Sequence, residues 1–253
     1  VYKRQAVTVP GVTSGWAEIN KRFGKLSLSQ ILEPAASYAR DGFPVSPVVS
    51  ALWNRLAESF KKELSPEFYE AWAADFTIDG RAPRAGEIFK YKGMAETLEE
   101  LGKTNCESFY RGAIADAIDS YSRKTGGYLR KEDLAAYKAQ WVEPITTNYR
   151  GYDVWEIPPN GHGITVLMAL NILKGLPLSQ ERDSADTYHK ILEAIKLAFA
   201  DTRTYVADPR YMRTRVADLL SEDYAARRRA LIGERALLPQ AGDPSCGGTI
   251  YLC

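Results

Sequence analysis

The sequence predicts an α/β (α+β) fold in which most of the chain is helical. Through most of its 253 residues, apolar side chains recur at intervals of three and four, the spacing of one helix face. One stretch, residues 141–157, instead alternates apolar and polar residues, as a half-buried β-hairpin does. At the C-terminal end, the turn-forming residues 243–248 are followed by Thr249-Ile-Tyr-Leu252, which favour extended structure.

Residues that favour the start of a helix divide the N-terminal part of the chain into predicted elements. A hydroxyl side chain just before a helix can accept a hydrogen bond from its first turn, and proline suits the first helical position. The second predicted helix would stop at Asp41-Gly42 and pack through Ile31, Leu32, Ala35, Ala36 and Ala39. The elements predicted here are a strand at 7–10, helices that begin at Thr13, at Ser27 or Ser29, at Ser46-Pro47 and at Pro66, and an irregular surface segment over 76–93.

The spacing of apolar residues predicts the elements of the C-terminal part of the chain. The segment 164–173 is rich in apolar residues, and we expect it to form a buried helix. The long helix 184–205 would pack through Ile191, Leu192, Ile195, Ala198 and Phe199. The elements predicted here are helices at 94–101, 107–122, 164–173, 184–205, 216–220 and 222–231, a helical turn at 131–134, and a hairpin whose turn is 149–151. Because no repeat or linker is visible, residues 1–248 should form one body.

The Gly248-Thr249 peptide is a candidate cleavage site. Gly248 has no Cβ, so a neighbouring hydroxyl can approach its carbonyl carbon, and Thr249 supplies that hydroxyl. Attack would form an ester, and hydrolysis would leave Thr249 as a new N-terminus. Its free α-amine, with a pKa near ~7.7 to 8.0, would then accept the proton of the hydroxyl on the same residue. On spacing alone, Gly-Gly-Thr is better explained as a plain strand entry.

Several other polar and aromatic side chains have structural interpretations. Cys246 has neither an adjacent amine nor a histidine nearby in sequence, so we expect it to be a spectator. We interpret His162, in a Gly-flanked turn, as a loop residue rather than a substrate-binding one. Asp201, Arg203 and Asp208 are candidates for a structural ion-pair network. The hairpin aromatics Trp141, Tyr152 and Trp155 are expected in the core or in cross-strand packing rather than in substrate binding.

Composition excludes several classes of function. The 33 basic and 32 acidic residues give a net charge of +1, which indicates neither a nucleic-acid partner nor an anionic membrane surface. No apolar run approaches the ~20 residues that span a bilayer. The two histidines lie far apart, and neither an HExxH motif nor a phosphate-binding glycine motif occurs, so we expect no metal and no cofactor.

The cysteines and the first residue of the chain lead to expectations about the cell compartment and about the length of the full polypeptide. Three cysteines cannot all pair within the chain, and they favour a reducing compartment such as the cytoplasm. The chain begins at Val1 rather than Met, so we expect it to start inside a longer polypeptide. An upstream targeting segment would place the protein in the periplasm or outside the cell instead. The sequence leaves an oligomer open.

Five blocks of short motifs run collinearly from Val7 to the end of the chain. They are Val9-Pro-Gly11 with Gly15-Trp16 and Arg22-Phe-Gly24; Pro34-Ala35 with Asp41-Gly-Phe-Pro-Val45; Phe109-Tyr-Arg-Gly112 with Gly126-Gly127 and Asp133-Leu134; Tyr149-Arg-Gly-Tyr152 with Ile157-Pro-Pro159 and Gly163; and Ala200-Asp-Thr-Arg203 with Tyr205 and Asp208-Pro209. With Thr249 at the end, this order resembles the γ-glutamyltransferase (γ-glutamyltranspeptidase) family of N-terminal-nucleophile hydrolases, including its acylase-like branch.

The resemblance implies a precursor that cuts itself between Gly248 and Thr249. Residues 1–248 would be a portion of the large subunit and residues 249–253 the start of the small subunit, in a four-layer αββα sandwich. Thr249 would be the catalytic nucleophile and, through its free amine, the base. The family's substrate-binding arginine and oxyanion glycines would lie outside this chain, so we expect the chain without its small subunit to be inactive.

The resemblance also implies a small-molecule amide substrate. Thr249 would take the acyl group as an ester and pass it to water or to an amine. γ-Glutamyl amides such as glutathione are the expected substrates. Ile250-Tyr251 follows the nucleophile where many members have Thr-His, which leaves a cephalosporin or glutaryl-type acylase and poly-γ-glutamate chemistry open. A non-catalytic helical scaffold subunit is the alternative from another class.

Overall fold

The computed structural model describes residues 6–181 and 183–245. The chain divides into two compact units, Val1–Gln140 and Trp141–Cys253, where the sequence pattern predicted one body. The boundary falls in residues 137–144, which have no regular structure yet lack the Gly- and Ser-rich composition that marks a flexible linker. Both units are mainly helical with one small antiparallel sheet each, so the mostly helical α/β prediction is confirmed at this level.

The first unit contains eight helices and a two-stranded sheet among its described residues. The helices are α1 (Val12–Phe23), α2 (Leu28–Asp41), α3 (Pro47–Glu63), α4 (Pro66–Phe76), α5 (Lys92–Lys103), α6 (Glu107–Arg111), α7 (Ala113–Lys124) and α8 (Lys131–Ala136). The strands are β1 (Phe43–Pro44) and β2 (Ile88–Phe89), which pair antiparallel.

The helix starts predicted at Ser27, at Ser46-Pro47 and at Pro66 are confirmed, and the helix predicted from Thr13 begins one residue earlier, at Val12. Ser27, not Ser29, caps α2: its Oγ accepts from the Gln30 N–H at 3.3 Å, and Gln30 Oε1 accepts from the Ser27 N–H at 3.0 Å. The Ser46 Oγ accepts from the Val49 N–H at 3.3 Å, and Pro47 follows at the first helical position. These contacts satisfy orphan N–H groups within one turn, which is why local sequence reveals them.

The packed core of this unit joins α2 to α5. Leu28, Leu101 and Cys106 form a buried cluster. Gly102 lets the two helices approach, because a Cβ there would lie 2.9 Å from the Ser29 Cα. The predicted α2 face is partly wrong, since Ile31 and Ala35 are exposed.

The structure corrects three predictions in this unit. No strand forms at 7–11; instead the Pro10 carbonyl accepts from the Tyr110 hydroxyl at 2.7 Å. Segment 76–93 is not wholly at the surface, because Phe89 is buried and belongs to β2. The helix predicted over 107–122 breaks at Gly112, whose close approach to the preceding turn would place a Cβ 2.7 Å from the Ser108 Cα.

A local ion pair closes the loop between α4 and β2. Arg81 donates to both Glu87 carboxylate oxygens, at 2.7 and 2.8 Å, and the Arg84 N–H donates to the same carboxylate at 2.8 Å. The Arg81 guanidinium, followed by the Arg84 N–H, lowers the pKa of Glu87 to about 2.

Glu87→Gln should therefore cost stability at neutral pH and cost none in strong acid. The folded pKa lies below the unfolded one, so this contribution is present above the unfolded pKa, near ~4.3, and disappears as pH falls toward about 2. Urea unfolding midpoints at neutral and acid pH measure this, with Glu58→Gln, exposed on α3, as control. A deficit that persists unchanged in acid would contradict it.

The second unit contains a hairpin and four helices among its described residues. They are β3 (Ile145–Tyr149), β4 (Tyr152–Glu156), α9 (Gly163–Lys174), α10 (Ala185–Tyr205), α11 (Val216–Leu219) and α12 (Glu222–Arg229). The predicted hairpin forms, with Tyr149 opposite Tyr152, but its first strand begins at Ile145 rather than at Trp141. Arg150 and Gly151 both have positive φ, the geometry that suits a two-residue hairpin turn.

Helix α9 is the centre of this unit. Eight of its residues are buried, as predicted. Its Thr165 Oγ1 donates to Thr202 Oγ1 on α10 at 3.2 Å. Its Asn171 accepts from the hydroxyl of Thr147 on β3 and donates to the Leu220 carbonyl at 3.0 Å. Polar contacts therefore fix α9 to three neighbouring elements.

The predicted packed faces of α10 and of the hairpin are wrong in part. Leu192, Ile195 and Phe199 are exposed on α10, although Ala198 is buried as predicted. The buried α10 residues are Glu193, Ala194, Leu197, Ala198, Asp201 and Thr202. On the hairpin segment, the aromatics expected in the core are exposed instead: Trp141 (51%), Tyr152 (78%) and Trp155 (57%).

Candidate functional site

The predicted cleavage site lies just beyond the described part of the chain. Gly248, Thr249 and the spectator Cys246 all fall outside the described residues, whose last member is Ser245. The structure does describe the stretch that leads to the site, residues 237–245, which we call the approach segment. Its main chain is held at two points by buried charged side chains of α10 and α12.

The first anchor holds Leu237. Its N–H donates to Glu193 Oε2 at 3.1 Å, and its carbonyl accepts from Lys196 Nζ at 2.6 Å. Lys196 also pairs with Glu193 at 2.7 Å, and the Glu193 side chain is buried. Burial alone would raise the pKa of Glu193, but the Lys196 ammonium and the Leu237 N–H outweigh it and lower that pKa. The carboxylate therefore stays charged.

The second anchor holds the chain at Gln240 and Gly242. The Gly242 N–H donates to Asp201 Oδ1 at 2.8 Å, and the Gly242 carbonyl accepts from the Tyr205 hydroxyl. Arg228 Nη2 donates to the Gln240 carbonyl at 2.7 Å. Both polar atoms of the Gly242 backbone are thus paired with side chains of α10.

Asp201 and Arg228 form a buried ion pair beneath this anchor. Their side chains are 0% and 5% exposed, and Arg228 Nε lies 3.0 Å from Asp201 Oδ2. This separation is direct contact between opposite charges, and the Tyr224 hydroxyl is buried beside the Asp201 carboxylate. Burial raises the pKa of Asp201, and the Gly242 N–H and the Arg228 charge partly offset that rise.

Gly242 lies too close to this pair for any other residue to fit unchanged. A Cβ there would lie 2.7 Å from the Tyr224 hydroxyl oxygen and 3.0 Å from Arg228 Nη1. Beyond Gly242 the chain turns, because the Asp243 carboxylate accepts from both the N–H (2.9 Å) and the hydroxyl (2.5 Å) of Ser245. Three residues then separate Ser245 from Thr249.

The ion-pair network predicted among Asp201, Arg203 and Asp208 does not form. Asp201 pairs with Arg228 instead. The Arg203 guanidinium carbon lies 5.8 Å from the centre of the Phe199 ring. Asp208 pairs with Arg210 at 2.6 Å, and the guanidinium lowers the pKa of Asp208 to about 2. The three residues are close in sequence, but each contacts a different partner.

Of the anchoring side chains, the sequence pointed only to Asp201, as an ion-pair candidate, yet a signal for Glu193 exists as well. Glu193, Leu197 and Asp201 follow each other at intervals of four on α10, so they lie on one helix face. Carboxylates on the face that also carries Ala194 and Ala198 indicate buried partners. Their identity cannot be read from α10, because Arg228 and Leu237 lie on other parts of the chain.

His162 occupies the position before α9, is exposed, and makes no side-chain cap. Among the described residues, no group of three or more His, Cys, Asp and Glu side chains is arranged to hold a metal ion. None of the helices within 6–181 and 183–245 has the length and apolar character that crossing a membrane requires.

The chain is similar in sequence to a known protein family and to several of its members. The model of the family described as Gamma-glutamyltranspeptidase matches residues 1–253. The chain is 36% identical over 247 residues to the Glutathione hydrolase-like YwrD proenzyme of Bacillus subtilis (strain 168), covering 97% of this chain and 46% of that protein. The chain thus spans less than half the length of that relative.

Solved structures give the same result. The crystal structure of cephalosporin acylase from Bacillus halodurans matches with a TM-score of 0.91 and 49% identity, over 94% of this chain and 44% of that one. The Helicobacter pylori gamma-glutamyltranspeptidase structure matches with a TM-score of 0.81 and 27% identity, over 91% of this chain and 65% of that one.

Proposed function

Because the chain belongs to the gamma-glutamyltranspeptidase family, we propose that the complete protein is a self-cleaving amidohydrolase or acyltransferase with Thr249 as its N-terminal nucleophile. Residues 1–248 belong to the large subunit in this proposal, and the small subunit begins at Thr249 and continues past this chain. The two subunits would build the four-layer αββα sandwich. The observation that carries the proposal is a Gly-Thr junction six residues after an anchored glycine, Gly242.

Maturation in this proposal uses only the junction's own groups. The Thr249 hydroxyl oxygen attacks the Gly248 carbonyl carbon, the peptide C–N bond breaks, and the nitrogen leaves as the Thr249 amine. Water then hydrolyses the ester, which frees the Gly248 carboxylate and the Thr249 hydroxyl. The amine and hydroxyl now lie on one residue, and the amine can accept the hydroxyl proton near neutral pH.

Turnover repeats the same chemistry on a substrate amide. The Thr249 hydroxyl attacks the substrate carbonyl, the amine product leaves with a proton, and an acyl ester remains on Thr249. Attack by water gives hydrolysis, and attack by a second amine gives transfer. No cofactor enters either step.

Two acyl groups are candidates for this site. Relatives named glutathione hydrolase support a γ-glutamyl amide. A glutaryl or related cephalosporin side chain is the second candidate, because the cephalosporin acylase structure shares 49% identity, against 27% for the Helicobacter pylori enzyme. Both are five-carbon dicarboxylic acyl groups, and they differ in the α-amine that only the γ-glutamyl group carries.

The cleaved enzyme should therefore release chromophore from a γ-glutamyl or a glutaryl amide. Both amides are assayed side by side with the matured full-length protein, with Thr249→Ala as the inactive control. A higher kcat/KM for the γ-glutamyl amide supports a γ-glutamyl substrate, and a higher value for the glutaryl amide supports the acylase. Correctly cleaved enzyme that turns over neither would contradict the proposed function and favour a scaffold subunit.

A further inference from the structure

We propose that Asp201 and Arg228 are positioning residues for self-cleavage: they hold the main chain at Gln240 and Gly242 so that the Thr249 hydroxyl meets the Gly248 carbonyl. This inference rests on the proposed function. It concerns the precursor before cleavage and does not place either residue in contact with substrate.

Chain length links the anchor to the junction. Gly242 precedes Gly248 by six residues, and an extended chain advances at most ~3.6 Å per residue. Gly248 must therefore lie within about 22 Å of Gly242. The turn at Asp243 and Ser245 uses part of that length, since it folds the chain back on itself. A fixed Gly242 thus restricts the volume that the junction can sample.

Restricting the junction matters because self-cleavage is an intramolecular attack. The rate of such a reaction depends on how often the nucleophile and the carbonyl carbon meet at ~3 to 3.5 Å in the correct orientation. Each loose residue between an anchor and the junction adds conformations that do not react. An anchor near the junction therefore raises the reactive fraction more than an anchor far from it.

The chemistry of the ion pair favours a role in the chain path over a role in stability. Burying two opposite charges costs desolvation, and apolar residues of similar volume are often at least as stabilising. The two side chains also bond to the main chain of the approach segment: Asp201 accepts from the Gly242 N–H, and Arg228 donates to the Gln240 carbonyl.

The role ends when the peptide is cut. After cleavage Gly248 is a free C-terminus, and turnover involves Thr249 on the other subunit. The proposal therefore predicts that weakening the anchor slows cleavage but leaves the turnover of already separate subunits unchanged. A merely structural role would affect both.

Asp201→Asn should slow cleavage of the full-length precursor by about tenfold, because the Gly242 N–H then donates to a neutral oxygen and Arg228 loses its counter-charge. The amide keeps the shape of the carboxylate and removes the charge that faces Arg228. Two matched controls come from the same unit. Asp218→Asn breaks an exposed pair with Arg215 and should cleave at the wild-type rate. Glu193→Gln loosens the anchor at Leu237, five residues further from the junction, and should slow cleavage less.

Gly242→Ala perturbs the same anchor from the main-chain side. Its Cβ would meet the buried Tyr224 hydroxyl at 2.7 Å, so the chain must move away from Asp201. We expect slower cleavage here too, with the ion pair itself unchanged in sequence. This variant decides the question if Asp201→Asn fails to fold, which thermal unfolding of both variants in an uncut Thr249→Ala background would show.

Producing the two subunits as separate chains bypasses self-cleavage, so turnover can be measured independently of it. The large subunit ending at Gly248 is co-expressed with a small subunit beginning at Thr249, with and without Asp201→Asn. Equal kcat/KM in the bypassed pair, with slow cleavage in the precursor, supports the inference. Wild-type cleavage rates in both Asp201→Asn and Gly242→Ala would overturn it, as would a kcat/KM that falls in parallel with cleavage. A wild-type precursor that is never cut is a different result, because it overturns the proposed function instead.

Discussion

Thr249→Ala is expected to leave the precursor as one uncut and inactive chain. The substitution removes the only atom that attacks the Gly248 carbonyl in the proposed maturation, and the same atom carries the acyl group during turnover. Loss of a covalent nucleophile costs on the order of 10⁴-fold or more in rate. Intact mass and N-terminal sequencing report the cut, and the chromogenic amide assay reports turnover.

Two neighbouring variants test the geometry of the same step. Thr249→Ser keeps the oxygen but loses the methyl group that restricts its rotamer, so it should be cut and turn over more slowly. Gly248→Val should slow the cut, because its side chain crowds the carbonyl and restricts the backbone. Cleavage of Thr249→Ala between residues 248 and 249 at the normal rate would show that Thr249 is an ordinary strand residue.

Arg228→Met is expected to destabilise the fold by about 3–5 kcal/mol, because it leaves the Asp201 carboxylate buried without a counter-charge. Urea unfolding in the uncut Thr249→Ala background measures this. The matched control is Arg227→Met, the next residue on α12, whose exposed guanidinium lies over the Tyr224 ring and which should cost less than about 1 kcal/mol.

The loss in Arg228→Met should shrink as pH falls. Burial already raises the pKa of Asp201, and removing the Arg228 charge removes a cause that lowers it. The folded state then binds a proton at higher pH than the unfolded state, so the stability of the variant rises as pH falls through the folded pKa and levels off below the unfolded one. Asp201→Leu combined with Arg228→Met should recover most of the loss, since no charge remains buried. A single variant as stable as the wild type would refute this account.

Signals that act within a few residues were readable from the sequence. Ser27 and Ser46 fix helix starts through contacts with their own first turns, Pro47 and Pro66 suit the first helical position, and the hairpin follows from alternation around Arg150-Gly151. The apolar character of α9 alone was enough to predict its burial. In each case the contact that decides the structure is local or involves one uniform face.

Contacts between distant residues were not readable in the same way. On α10, large apolar residues such as Leu192 and Phe199 were assigned to the packed face, whereas the described structure buries Glu193 and Asp201. Those carboxylates are buried because Lys196, Leu237, Gly242 and Arg228 supply partners, and three of these four lie more than 25 residues from the carboxylate they meet. A charged side chain is thus buried only where the tertiary structure supplies partners for it.

The hairpin has a consequence for handling the protein. Within the described chain, β3 and β4 pair only with each other, so each strand has an outer edge with a row of N–H and C=O groups open to pairing. Tyr152 and Trp155 add exposed apolar surface beside those edges. Open edges are templates for aggregation. For this chain on its own, we expect aggregation that increases with protein concentration, through edge-to-edge association of hairpins.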